Sequence, residues 1–195
     1  MVSGGAFSGG GVRRRPVLPN GVLAILLFIG VEAMLFAGFF SAFTIVKANF
    51  APGMWPPPGQ PRFPAEATAV TTLILLVSGV LLWWSGRRFD TEPASARGLL
   101  AASATLGATF IGIQGVEWAR LIGEGLTLED NPYGGLFYVI VGAHAAHAVP
   151  ALIALIVMWV RMQRGYLDAV SFTVARAFWY FVVLVWPVLY WRVYL

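Results

Sequence analysis

This 195-residue chain has nine side-chain carboxylates and two histidines to offer for proton transfer or metal ligation near neutral pH, and no cysteine. One of the acids is unusually placed. Glu32 sits inside GVLAILLFIGVEAMLFAGFFSAFTIVK, residues 21–47, with no other charge until Lys47. A carboxylate in the middle of an apolar span is costly, so Glu32 is expected to face protein or trapped water and not lipid. It is either a neutral carboxyl hydrogen-bonded to a neighbouring helix or a proton-carrying group. Phe28, Phe36, Phe39 and Phe43 fall on nearly the same helical face, so the acid belongs to an aromatic stripe.

The histidines form the run Gly142-Ala143-His144-Ala145-Ala146-His147. Spacing of i, i+3 puts both imidazoles on one side of a helix. A zinc site would need at least one more protein ligand, and only Glu32 and Glu117 are candidates. The favoured role is hydrogen bonding between helices, which the flanking glycine and alanines would bring close together. Gln114 and Glu117 share a face of another span, with Arg120 three residues on, and the simplest expectation is a local Glu117–Arg120 pair at the interface. No serine or threonine lies in an arrangement that suggests a nucleophile–base pair.

These groups must be positioned by membrane spans. The chain is 58% hydrophobic and 11% charged, with mean hydropathy +0.76. A globular domain carries about 25% charged residues. Runs of about 20 apolar residues are what a helix needs to cross a bilayer. Five occur, at about 21–47, 67–85, 98–122, 135–160 and 172–194, and predict an all-α, five-helix transmembrane bundle as one domain over 21–195. Residues 1–20 read as a disordered, Gly-rich cytoplasmic tail. Arg13, Arg14 and Arg15 precede the first span as in a signal peptide, but the run is too long for one and no small-residue cleavage site ends it. A proline-rich loop around Trp55 is expected at the membrane interface, stiffened by Pro52, Pro56, Pro57, Pro58, Pro61 and Pro64. Nine of the thirteen Lys and Arg residues fall on the N-terminal side of the spans, so the N-terminus is expected in the cytoplasm and the C-terminus outside.

The remaining composition excludes several classes. The net charge of +4 does not point to nucleic acid, because the basic residues sit at helix ends. Without cysteine there is no disulfide, thiolate metal site, iron–sulfur cluster or usual covalent haem attachment. Two histidines cannot supply the axial and copper ligands of a haem–copper centre. No P-loop or dinucleotide fingerprint is present.

The order of the motifs resembles the cytochrome c oxidase subunit III family of the haem–copper oxidases, from about Gly21 to the C-terminus. Phe28-Ile29-Gly30-Val31-Glu32 looks like that family's buried-glutamate helix, and Trp55-Pro56-Pro57 its Trp-Pro-Pro loop. Gln114-Gly115-Val116-Glu117 resembles its Gln-x-x-Glu segment, and His144 and His147 its Gly-x-His-x-x-His helix. Two positions depart from the pattern: Tyr180 and Val183 stand where the family usually has His and Asp. The longer family members have two further N-terminal helices, which the shorter bacterial members lack.

The resemblance implies a non-catalytic accessory subunit of a respiratory terminal oxidase in the bacterial cytoplasmic membrane. It would stabilise catalytic subunit I, hold phospholipid in a cleft and support proton uptake. Haem and copper would reside in partner subunits, with no metal or cofactor on this chain. Glu32, Trp55, Gln114, Glu117, His144 and His147 are the buried polar and lipid-cleft candidates. Two alternatives are the accessory subunit of a nitric oxide reductase and, from another class, a small proton channel or transporter using Glu32.

Overall fold

The computed structural model describes residues 18–51, 54–55, 65–125 and 132–194. Five helices follow in order: α1 Asn20–Ala48, α2 Ala65–Arg88, α3 Pro93–Gly123, α4 Pro132–Gln163 and α5 Ala169–Leu189. A π-helical turn, Tyr190–Tyr194, continues α5. All five are long and apolar enough to cross a membrane. In hydrocarbon, backbone amides and carbonyls must pair within their own segment, so continuous helices are the form these runs can take.

Each helix extends beyond its apolar run. Pro93 begins α3 and Pro132 begins α4. Proline suits a first turn because the amide hydrogen it lacks would have had no partner there. Gly125 and Gly165, at φ +89° and +74°, turn the chain just after α3 and α4. That left-handed conformation is what glycine adopts without a Cβ clash. At the start of α5 the Asp168 carboxylate accepts a hydrogen bond from the Ser171 amide at 2.8 Å. This holds Asp168 below the usual aspartate range. The expectations for the N-terminal tail, for Pro56 and Pro57 of the Trp-Pro-Pro loop and for most of the acidic α3–α4 loop lie outside the described residues.

The body of the bundle is stitched by small polar groups. The Ser78 and Ser103 hydroxyls each donate to the other residue's carbonyl at 2.9 Å, joining α2 to α3. Trp179 Nε1 donates to Ser78 Oγ at 3.0 Å, and Trp186 Nε1 to Thr72 Oγ1 at 2.9 Å, tying α5 to α2. Ser85 Oγ donates to the Ala96 carbonyl at 2.8 Å. Both indoles are therefore packing groups with a satisfied polar handle, as expected for buried tryptophan. Gly107 makes room for one of them: a Cβ there would lie 2.5 Å from the Trp179 ring. Val183 packs on Gly79, where a Cβ would sit 3.1 Å from Val183 Cγ1. An aliphatic residue therefore fills the place of the expected aspartate.

α1 rides on the outside of this body and is the least buried of the five helices. Its contact line touches α5 and α4. Gly21 meets Val170 and Val174, Phe28 meets Phe178 edge-on, and Phe36 meets Phe181. Phe36 and Phe43 are buried, while Leu27, Val31 and Met34 face outward.

Candidate functional site

The contact line of α1 carries Glu32 to α4. Glu32 Oε2 lies 3.0 Å from His147 Nε2, with both side chains about 15% exposed. The distance is that of an ion pair, although the alignment is not that of a straight hydrogen bond. The other ring nitrogen, His147 Nδ1, is 2.7 Å from the Ala143 carbonyl one turn back. A carbonyl only accepts, so Nδ1 carries a hydrogen. In a neutral ring Nε2 is then bare, and two lone pairs would not approach to 3.0 Å. A carboxylate facing a bare Nε2 would be repelled, so the contact suits a pair that carries one proton, on the carboxyl or on the ring. Four phenylalanines wall the imidazole: Phe28, Phe36, Phe178 and Phe181, with centroids 5.6–6.4 Å away. The pair is thus largely shielded from water in an aromatic cage.

His144 does not join it. Its ring stacks at 5.0 Å on Trp186 and is 2% exposed, and neither nitrogen has a hydrogen-bond partner. Spacing alone put both imidazoles on one face. In the folded chain His147 turns to α1 and His144 to α5 and α3. Pro150, three residues after His147, removes the amide that would have bonded the Ala146 carbonyl, so one backbone bond of α4 is missing beside the pair while the helix runs on.

A second polar group lies between α3 and α2. Gln114 Nε2 donates to Thr71 Oγ1 at 3.2 Å and to Glu117 Oε2 at 3.1 Å. The expected Glu117–Arg120 ion pair is replaced. Arg120 Nε bonds Glu124 Oε1 at 2.7 Å, because i, i+4 spacing and the exposed helix end suit that pair better. Glu117 instead turns inward to Gln114. Trp55 folds beneath the ends of α1 and α4, edge-on to Phe43 at 5.5 Å and Tyr133 at 5.0 Å. Of the six candidates, only Glu32 and His147 touch each other, and Gln114 and Glu117 form a separate contact. The sequence reading missed Thr71, Ser78, Ser103 and the two indole N–H groups. Their signal was the Ser/Thr content of the second and third spans.

Among the described residues no three His, Asp or Glu side chains gather as a metal-ligand set. Both nitrogens of His147 contact protein atoms, and the His144 ring lies against Trp186.

Fold and site together define a multi-pass helical membrane protein with a buried glutamate–histidine pair. The family model for "Cytochrome c oxidase subunit III" matches residues 3–195, and the chain belongs to that family. It is 33% identical over 177 residues to cytochrome c oxidase subunit 3 of Arabidopsis thaliana, covering 87% of this chain and 66% of that relative. It is 31% identical to the Latimeria chalumnae subunit 3, covering 92% and 70%. It is 29% identical to cytochrome bo(3) ubiquinol oxidase subunit 3 of Pseudomonas putida, covering 89% and 84%. The chain thus spans about two thirds of the length of the Arabidopsis protein.

Proposed function

We propose that this chain is the accessory third subunit of a respiratory haem–copper terminal oxidase, packing beside the catalytic subunit in a bacterial cytoplasmic membrane. The haem and copper belong to partner subunits. This chain contributes a stable helical flank, phospholipid contacts and a protonatable pair that supports proton uptake during sustained turnover. The observation that carries the reading is the Glu32–His147 contact at 3.0 Å, caged by four phenylalanines on a chain of this family. The pair stays neutral while one proton moves between the Glu32 carboxyl and the His147 ring, and giving that proton up leaves a single negative charge that the next proton taken up neutralises. The engagement of both His147 nitrogens supports the absence of a redox centre on this polypeptide.

The test is Glu32→Gln in the native complex. Glutamine can donate to Nε2 but cannot release a proton. Assembly and the haem spectrum should be retained, while the enzyme loses activity after fewer turnovers than the wild type. Unchanged turnover lifetime would remove the proton role. Loss of assembly would make the carboxyl a purely structural group.

A further inference from the structure

We propose that the open side of α5 seats a helix of a partner subunit, and that Arg176 receives a carboxylate carried by that helix. The proposal rests on the reading of this chain as an oxidase subunit. Arg176 lies inside a membrane-spanning segment, Ala169–Tyr194. A charge within a span is normally met by a counter-ion, a backbone carbonyl or water. Among the described residues Arg176 has no ion pair and no hydrogen bond, and its Nε is buried without a partner.

The guanidinium has a built seat. It lies on α2, where a Cβ on Gly86 would collide with Cζ and both Nη atoms of Arg176. Two rings of α5 hold it there, with Cζ 5.3 Å from the Phe172 centroid and 5.9 Å from the Tyr180 centroid. The side chain is still only half-buried, which leaves part of it open to a neighbour. Tyr180 stands where the family usually has histidine, and its hydroxyl is also buried without a partner. The acids at this end of the bundle do not answer the charge. Glu92 pairs with Arg88 at 3.8 Å, Asp168 accepts from the Ser171 amide, and Asp90 is exposed with no ion pair.

The surface beside the seat is unfilled within this chain. α1 meets α5 through Phe178 and Phe181, and α2 meets it through Trp179 and Val183. Tyr180 and Leu184 continue the line of Arg176 at i+4 and i+8, between those two contact lines, and Trp191 lies beyond them. Leu184 is 68% exposed and Trp191 63%, although this span is the most buried of the five. Arginine, tyrosine and tryptophan are the side chains that concentrate at protein interfaces. A carboxylate takes the planar donors of a guanidinium in charge-assisted hydrogen bonds, and a facing helix holds it at the depth where the charge lies.

The test uses the complex purified with all its subunits. Benzoylphenylalanine replaces Leu184, the complex is irradiated, and the cross-linked peptides are identified by mass spectrometry. The expected product is a membrane helix of another subunit, with Asp or Glu about 12 Å along it from the cross-linked residue, which is the rise from Leu184 to Arg176. Arg176→Gln should release this chain about tenfold faster as detergent is raised, as for a lost hydrogen bond between charged groups. Arg176→Lys should recover part of that loss. Replacing the partner carboxylate by its amide should act like Arg176→Gln, and the two together should add less than about twofold to either alone. Arg87→Gln removes an exposed cation stacked on Trp83 at the same end, and should change release by less than about twofold. With the haem-bearing subunits still in the product, four results would each overturn the proposal. They are cross-links to lipid alone, a cross-linked helix with no acid at that level, unchanged release in Arg176→Gln, and multiplied losses in the combined variant. A product without those subunits would overturn the reading on which the proposal rests.

Discussion

Replacing Glu32 by leucine strands one nitrogen of His147. Nδ1 keeps the Ala143 carbonyl, but Nε2 is left facing four phenylalanine rings. Leaving a buried polar group unpaired costs about 1–3 kcal/mol. His147→Leu strands the carboxyl instead, at a similar or greater cost. The double variant removes both groups and places two aliphatic side chains in an aromatic cage, where they pack without an orphan. The loss of the Nδ1 bond is common to the His147 single and the double variant, so it cancels in the cycle. Interhelical hydrogen bonds in membranes average about 0.6 kcal/mol by such cycles, with a maximum near 1.7. A caged pair that must hold a proton belongs near that maximum, so the expected coupling is about 1.5 kcal/mol. The assay is reversible unfolding of the four proteins in mixed micelles with increasing sodium dodecyl sulfate. Additivity within about 0.5 kcal/mol, the range for sites without contact, would refute the shared-proton reasoning.

Further outcomes follow from the packing. Gly107→Ala puts a Cβ 2.5 Å from the Trp179 ring, so it should destabilise the bundle by about 1–3 kcal/mol and weaken the Trp179–Ser78 bond, read as a shifted tryptophan emission. Trp186→Phe keeps the ring against His144 but removes the donor to Thr72, and should cost about 1 kcal/mol in the same unfolding assay. Asp168 has its carboxyl held below the ordinary value by the Ser171 amide. Its stabilising effect is therefore present above the unfolded aspartate value near 3.9 and lost as the pH falls through the lower folded value. Asp168→Ala should fray the start of α5, seen as faster amide exchange at residues 169–172, with the difference from wild type vanishing at low pH.

The five spans were legible because lipid leaves a helix little freedom: a long run with few charges has one stable conformation. Glu32 could be singled out for the same reason. Its partner could not be read. The stripe of Phe28, Glu32, Phe36 and Phe43 could be marked as the protein-facing side of α1, but nothing in the sequence says which helix it meets, and the packing of Gly21, Phe28 and Phe36 on α5 is what delivers Glu32 to His147. The same limit split the histidines. Spacing placed them together on one face, but two neighbouring helices share that face, and each histidine went to a different one. Arg120 illustrates a local ambiguity: Glu117 at i−3 and Glu124 at i+4 both compete for it, and the turn after Gly123 brings Glu124 within 2.7 Å. Helix ends ran longer than the apolar runs because Pro93 and Pro132 start helices as readily as they break them.

The measurement closest to the central claim is purification from native membranes through an affinity tag on this chain, followed by an optical spectrum of the product. The account predicts haem bands, with larger haem-bearing subunits retained, and the same haem content in His144→Ala and His147→Ala preparations that remain assembled. Recovery of the chain without haem-bearing partners, or haem lost from an assembled complex when either histidine is replaced, would contradict it.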